Sequence, residues 1–125
     1  MKIFDNGALE IFAHEGEGYE RTMHYENWRV AFLNYAERFD QITYLERHMC
    51  TDEVFVLLRG EAKLIVGEEK TEHRLEENKI YNVKRGIWHA VKVSRDAQLL
   101  IVENHDTSAE NTEYLRFDKA LTVEL

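Results

Sequence analysis

Imidazole and carboxylate side chains recur at short, regular steps between residues 42 and 67 of this 125-residue chain. Glu46 and His48 are two positions apart, so on an extended strand both point to the same face, about 6.6 Å apart along the strand. Glu53 follows and opens the apolar run 54–58. An unpaired carboxylate at the mouth of a buried strand is costly, so Glu53 needs a partner, and a metal or another cation would meet that need. This spacing predicts one wall of a metal pocket.

A fourth donor lies downstream, in the segment 83–89, where Gly86 makes a turn and His89 stands near the start of the next predicted strand. The alternative for His89 is to pack beside Trp88 and donate to a carbonyl. Two imidazoles and two carboxylates suit a divalent ion of Mn, Fe, Ni or Zn, and the residue types do not choose among these. Such a set leaves one or two positions of an octahedral ion for water or substrate, which is what a catalytic metal site needs.

The other candidate ligands also have plain alternatives. His48 could be a histidine at the edge of the core whose ring is satisfied by the backbone. Glu46 points inward by strand alternation, but it could instead form an ion pair with Arg47 or Arg59 at the rim of a barrel. Cys50, two residues after His48, could act as a soft ligand that favours Zn, or it could fill a turn as a small side chain.

The spacing of these residues resembles the motifs of the cupin family in its small single-domain form, and the resemblance covers most of the chain. The family's first motif has a His-x-His pair, then a Glu, then a Gly. His48, Glu53 and Gly60 match it, and Glu46 stands in place of the first His.

The family's second motif has Pro-x-Gly, two residues and a His, usually with an Asn four residues further on. Gly86 and His89 match this motif, whereas Lys84 replaces the Pro and Val93 the Asn. The resemblance implies a metal held by the four candidate residues and a small carboxylate-like or sugar-like metabolite as ligand. It also implies a homodimer in which N-terminal strands 1–27 form an intersubunit arm. A binding module without turnover and a barrel with a vestigial site stay open as alternatives.

The elements that must position these donors are short strands. Roughly ten β-segments separated by turns favour an all-β fold, a closed antiparallel barrel or jelly roll. The predicted segments are 8–13, 19–25, 28–35, 42–48, 54–66 as a hairpin, 79–83, 88–93, 97–103 and 113–117, with a charged hairpin loop and edge at 67–78. Tyr44 shares the parity of Glu46 and His48, so it is placed in the substrate pocket, and Trp88 is a weaker candidate for the same pocket.

Length and composition bound the possible functions. A chain of 125 residues with 44% hydrophobic residues is predicted to be one cupin domain, with its barrel core at about 28–117. The formal net charge of −8 repels phosphate backbones and anionic membranes, so neither nucleic acid nor a membrane is expected as a partner. No apolar run reaches the length of a signal sequence or a membrane span, and Cys50 is the only cysteine. A cytoplasmic protein is the expectation.

Overall fold

The computed structural model describes residues 1–125 as twelve β-strands and two short 3₁₀ turns. In chain order the strands are β1 (Lys2–Asp5), β2 (Glu10–Phe12), β3 (Tyr19–Tyr25), β4 (Trp28–Asn34), β5 (Ile42–His48), β6 (Glu53–Arg59), β7 (Ala62–Val66), β8 (Thr71–Arg74), β9 (Tyr81–Val83), β10 (His89–Val93), β11 (Gln98–Asn104) and β12 (Thr112–Leu121). The 3₁₀ turns are Glu37–Phe39 and Ala109–Asn111.

Ten of these strands form two five-stranded antiparallel sheets that face each other. One sheet has the order β12-β5-β10-β7-β8, and the other has the order β3-β4-β11-β6-β9. The chain therefore crosses between the sheets repeatedly, as in a jelly roll. The predicted all-β, antiparallel barrel is confirmed.

The main hydrophobic core lies between the two sheets. Alternating side chains of β6 and β11 point into it, and the burial of both strands alternates accordingly. Leu57, Leu99 and Ile101 are among the thirteen buried residues of this cluster. A smaller cluster consists of Ile42, Leu45, Ile65 and Val123. Strand alternation thus decides which residues are left to line the interior.

Three strands differ from the sequence prediction. β8 is an exposed edge strand paired with β7 inside the charged segment expected to be a loop and edge, and it carries no apolar alternation because neither face is buried. β1 was not predicted at all, and all four of its residues are exposed. β12 extends over ten residues, since it follows β5 along the sheet edge.

The N-terminal region divides into two parts. β1 and β2 pair only with each other, whereas β3 pairs along its length with β4 of the same chain. β3 is therefore an edge strand of the second sheet. The structure contains no helix with the length and hydrophobicity needed to cross a bilayer.

Strand pairing brings the candidate ligands to one end of the barrel. His89 at the start of β10 is directly opposite Glu46 on β5, and Thr112 at the start of β12 is opposite His48. Glu53 begins β6 in the facing sheet. Residues separated by about half of the chain thus meet at the same level of the fold.

Candidate functional site

A cavity of about 210 Å³ opens between the sheets at this end of the barrel. All four predicted ligands, Glu46, His48, Glu53 and His89, line it, as does Tyr44. The structure therefore brings the four predicted ligands and Tyr44 together.

The carboxylate of Glu53 is the centre of the cluster. Its Oε1 atom lies 3.1 Å from His48 Nε2 and 2.8 Å from His89 Nε2. Glu46 is more peripheral, with its Oε1 3.8 Å from His48 Nε2. The two imidazole rings stand edge to face, 5.2 Å between centroids. Nitrogen and oxygen donors from three strands therefore converge on one small volume.

The outer ring nitrogens of both histidines are held by other groups. His89 Nδ1 donates to the carbonyl of Ile87 at 2.9 Å, which fixes Nε2 as the atom that faces the cavity. His48 Nδ1 lies 2.9 Å from the hydroxyl of Thr112. Second partners of this kind orient imidazoles that bind metals and raise their basicity.

Burial and pairing shift the pKa values of these groups in opposite directions. Burial alone would raise the pKa of Glu53, but the hydrogen bonds from His48 and His89 outweigh it and lower the pKa to about 2. Burial opposes the charged form of each histidine, and Glu53 nevertheless raises the pKa of both. The pKa of Glu46 is raised, by its burial first and by the charge of Glu53 second. Glu53 is thus an ionised carboxylate between two imidazoles.

The donor set fits a divalent transition metal. Two donors bound to one ion at about 2.1 Å and about 90° apart lie about 3 Å from each other. The separations of 3.1 Å and 2.8 Å around Glu53 Oε1 are close to this value, and the 3.8 Å separation between Glu46 Oε1 and His48 Nε2 is longer. Glu46, His48 and His89 also form a group whose donor atoms lie within 4.8 Å of one another. Imidazole nitrogen with carboxylate oxygen is the ligand type for such ions.

A second buried carboxylate, Glu103, faces the same cavity and was not among the predicted site residues. Glu103 is 6% exposed, and its Oε1 accepts hydrogen bonds from the hydroxyl of Tyr19 and from Arg29, which is 2% exposed. Arg29 also donates to the carbonyls of His105 and Thr107, so it ties this wall to the adjacent loop. Two features of the sequence could have pointed to this wall. Glu103 is a carboxylate at the end of the apolar run 99–102, and Arg29 is a charged residue with apolar neighbours on both sides in the predicted strand 28–35.

The Glu103 wall contains two buried atoms without partners. Arg29 Nε and Glu103 Oε2 make no hydrogen bond. Glu103 and Glu53, together with His48, have donor atoms within 4.8 Å of one another. Burial comes first among the causes that raise the pKa of Glu103, and the nearby charge of Glu53 follows.

Other residues considered from the sequence lie elsewhere. Trp88 does not line the cavity: because His89 points inward, its neighbour points outward, where it packs on the smaller cluster under the guanidinium of Arg47 at 4.3 Å. Arg47 pairs with Glu113, and Arg59 donates to the carbonyl of Asp96, so neither takes Glu46 as a partner.

Cys50 also lies outside the cavity. Its Sγ is 3.7 Å from Asp106 Oδ1 and 3.7 Å from Thr107 Oγ1. It lines a separate surface groove. The thiol is therefore a turn residue in this structure and not part of the four-donor cluster.

Comparison with known proteins finds likeness in structure but not in sequence. No family model matches the chain, and no curated protein matches it. Among solved structures, Pac13 of Streptomyces, a nucleoside dehydratase determined with uridine, has a TM-score of 0.63 at 6% identity over 83% of each chain. A cupin-2 domain protein of Shewanella frigidimarina has a TM-score of 0.58 at 15% identity over 76% of this chain and 85% of that chain. KdgF of Halomonas has a TM-score of 0.54 at 11% identity, over 69% and 77%. These likenesses concern the fold.

Proposed function

The chain has the cupin fold, and on that premise we propose that it holds one divalent transition-metal ion in its cavity and binds a small metabolite beside it. The single observation that supports this proposal best is the contact of one carboxylate oxygen, Glu53 Oε1, with the Nε2 atoms of both His48 and His89. Buried carboxylates of this kind are stabilised by protons on the two imidazoles or by a cation among the three groups.

In this proposal each side chain of the cluster has a separate task. His48 and His89 supply two nitrogen donors, Glu53 supplies an oxygen donor, and Glu46 supplies a second oxygen from the side of the cavity. When bound, the ion supplies a Lewis acid with one or two positions left for water or the metabolite. Glu46 is the least buried of the four, at 33% side-chain exposure, so it is also the carboxylate placed to accept a proton from a bound ligand.

The metabolite is small. The cavity volume of about 210 Å³ is below the roughly 300–1,000 Å³ of pockets that take drug-sized ligands. Tyr44 and Tyr114 stand edge to face at its mouth, 5.6 Å between ring centroids, and offer both ring surface and hydroxyl groups. A carboxylate-like or sugar-like molecule suits a wall of this composition. The solved complex of Pac13 with uridine shows that a small metabolite binds a barrel of this fold.

The test is a calorimetric titration of dialysed protein with Mn²⁺, Fe²⁺, Ni²⁺ and Zn²⁺. We expect one ion per chain for at least one of these metals. His48→Gln and His89→Gln should abolish stoichiometric binding, because each removes a nitrogen donor. His73→Gln is the matched control, since His73 is exposed on β8 and away from the cavity. A protein that binds no metal in stoichiometric amount contradicts the proposal.

A second function is favoured by the same contact. Because Glu53 Oε1 already has two imidazole partners, the cluster can carry out proton transfer or simple ligand capture with protons in place of an ion. Thermal-shift screening of metal-free protein distinguishes the two functions. Stabilisation by a metabolite without metal, unchanged by chelator, favours this second function, whereas chelator sensitivity favours the metal centre. Consumption of the stabilising ligand indicates catalysis, and its recovery unchanged indicates binding alone.

The homodimer, the division into an arm 1–27 and a core 28–117, and the cytoplasmic location stay predictions. The hairpin of β1 and β2 supports the dimer, since Ile3, Phe4 and Leu9 are exposed on it and two-stranded hairpins are marginally stable alone. Sedimentation of the whole chain and of a chain without residues 1–15 would measure the contribution of the hairpin.

A further inference from the structure

Two arginines at the mouth of the cavity have no partner in the protein. Arg21 on β3 and Arg38 in the turn Glu37–Phe39 both line the cavity. Neither side chain makes a hydrogen bond, and neither lies within 4.0 Å of a carboxylate. Arg38 lies over the ring of Phe39, at 4.3 Å from the ring centroid. Both guanidinium groups are therefore free to bind a ligand.

The third arginine that lines the cavity, Arg29, already has hydrogen-bond partners within the protein. Arg29 is buried and donates to Glu103, to Tyr19 and to two carbonyls of the adjacent loop. Its role is to hold the wall. Arg29 is therefore a buried structural residue, whereas Arg21 and Arg38 are exposed to solvent.

Charge balance in the cavity strengthens this distinction. Arg29 cancels Glu103, and a divalent ion cancels Glu46 and Glu53. Arg21 and Arg38 then leave the loaded cavity positive, although the whole chain carries a formal charge of −8. A positive, partly enclosed opening in an acidic protein favours anionic ligands and raises their local concentration.

We propose that Arg21 and Arg38 form a subsite for an oxyanion, a carboxylate or phosphate group, on the metabolite that enters this cavity. The inference rests on the proposed function, because the ion supplies the charge that balances the two glutamates. Planar guanidinium groups bind carboxylate and phosphate oxygens through paired hydrogen bonds. The metabolite is then a small oxyanion whose charged group lies at the opening and whose other oxygens reach inward to the ion.

The surroundings of Arg38 agree with this orientation. Arg38 is close enough to Glu46 and Tyr114 to oppose the rise that burial causes in the pKa of each. Ser108 and Thr112 line the same cavity and offer hydroxyl groups. One end of a bound oxyanion therefore meets arginines, and the rest meets hydroxyl and carboxylate groups suited to hydroxyl-bearing carbon atoms.

The experiment is a titration followed by NMR of the arginine side-chain Nε–H signals, with and without one equivalent of Zn²⁺. Malonate and inorganic phosphate are the probes, because both fit any oxyanion subsite, and neutral malonamide is the matched control. We expect saturable shifts of two arginine signals with malonate or phosphate and none with malonamide. The probe that binds more tightly identifies the carboxylate or the phosphate as the natural group.

Variants assign the signals. Arg21→Gln and Arg38→Gln should each weaken binding of the better probe roughly tenfold or more, the effect of losing a charge-assisted hydrogen bond. Arg85→Gln is the control, since Arg85 is exposed on the turn before β10 and does not line the cavity. Zinc binding should be retained in all three variants.

Each outcome decides a separate claim. The inference is overturned if neither probe binds, if malonamide binds as well as malonate, or if Arg85→Gln removes the binding and the cavity variants do not. If zinc fails to bind while the two cavity arginines still bind the probe, the metal proposal fails and the oxyanion subsite stands. If zinc binds and no oxyanion does, only the present inference fails.

Discussion

The two ends of the barrel contrast along the same strands. The inward side chains of β6 run from Glu53 at one end to Phe55 and Leu57 in the middle, and those of β11 run from Leu99 to Glu103. The apolar positions belong to the main core. The two glutamates are equally buried, at 6% exposure each, but they line the cavity.

The difference is in how burial is compensated. Leu57 and Leu99 gain stability from removal of apolar surface from water, about 25 cal/mol per Å². Glu53 and Glu103 lose hydration and need partners: two imidazoles for the first, an arginine and a phenol for the second. Burial at the apolar end stabilises the fold. Burial of the two glutamates at the polar end costs free energy, which the apolar end offsets. Such costs are typical of functional sites.

The largest effect is expected from removing one partner at the polar end. Arg29→Met leaves Glu103 buried without its cation, and we expect a loss of about 3–5 kcal/mol in the free energy of unfolding. Urea denaturation measures this loss. The double variant Arg29→Met with Glu103→Met should recover most of it, because no unpaired charge remains. A single variant within 1 kcal/mol of the wild type would contradict the assignment of a tightly compensated pair.

The next effect tests the apolar end. Leu99 has 0% exposure, so Leu99→Ala should cost about 2–5 kcal/mol through lost burial and a cavity. Metal affinity of the folded fraction should be unchanged, since Leu99 does not line the cavity. Calorimetry at a temperature where the variant is folded tests this independence. A parallel loss of metal affinity would show that the two ends are not separable.

The pH dependence of the free energy of unfolding tests the polar end of the barrel without a mutation, because the titrating groups with shifted pKa values line the cavity there. The pKa of Glu53 is lowered from 4.5 to about 2, so its contribution is present above pH 4.5 and is lost as the pH falls toward 2. The pKa values of His48 and His89 are raised above 6.5, so their contribution is present below pH 6.5 and is lost as the pH rises. The pKa values of Glu46 and Glu103 are also raised above 4.5. Their contribution to stability is therefore likewise lost as the pH rises, from about pH 4.5 upward.

Metal-free protein should therefore be most stable near pH 4.5, where the contribution of Glu53 is largely present, with a loss of up to about 3 kcal/mol on the acid side. Above pH 4.5 the contributions of Glu46 and Glu103 are lost, and above pH 6.5 those of the two histidines are lost as well. Metal affinity should instead increase with pH, because the ion replaces protons on the histidines. Urea denaturation and zinc titration over the same pH series measure both. Stability of the metal-free protein that keeps rising from pH 6 to pH 8 would contradict the assigned pairing.

How much of this arrangement could be predicted from the sequence depends on the distance over which residues interact. Glu46 and His48 are fixed by alternation within one strand, and Glu53 and His89 by the strands that they begin. These local rules set the direction in which each side chain faces, whereas the meeting of all four in one cavity depends on strand pairing and was expected only from the resemblance to cupins. Trp88 directly precedes His89, so by strand alternation it points outward when His89 points inward. Its position outside the cavity could therefore also have been predicted from the sequence.

The second wall of the cavity could not be predicted in this way. Arg29 and Glu103 are 74 positions apart and meet because β4 and β11 are neighbours in the sheet. Thr112 reaches His48 only through the pairing of β12 with β5. β8 lies in the segment that was predicted as a charged hairpin loop and edge, and its bounds could not be predicted because an exposed edge strand shows no apolar alternation. Pairing order, and not local pattern, determines these contacts.

The smallest effect concerns the contact that orients His48. Thr112→Val keeps the shape of the side chain and removes the hydroxyl beside His48 Nδ1. We expect metal affinity to fall about tenfold, the lower end of the range for second partners of metal-binding histidines, with little change in unfolding free energy. Thr43→Val is a matched control at the mouth of the same cavity, without a contact to either histidine. Equal effects in the two variants would argue against an orienting role for Thr112.

The central claim is that His48, His89 and the adjacent carboxylates converge on one cation. Anomalous diffraction from crystals soaked in Mn²⁺ or Zn²⁺, collected on both sides of the metal absorption edge, tests it most directly. We expect one strong peak at about 2.0–2.3 Å from the Nε2 atoms of both histidines and from an oxygen of Glu53. A fully soaked crystal with no peak in the cavity, or with a peak bound by neither histidine, would contradict it.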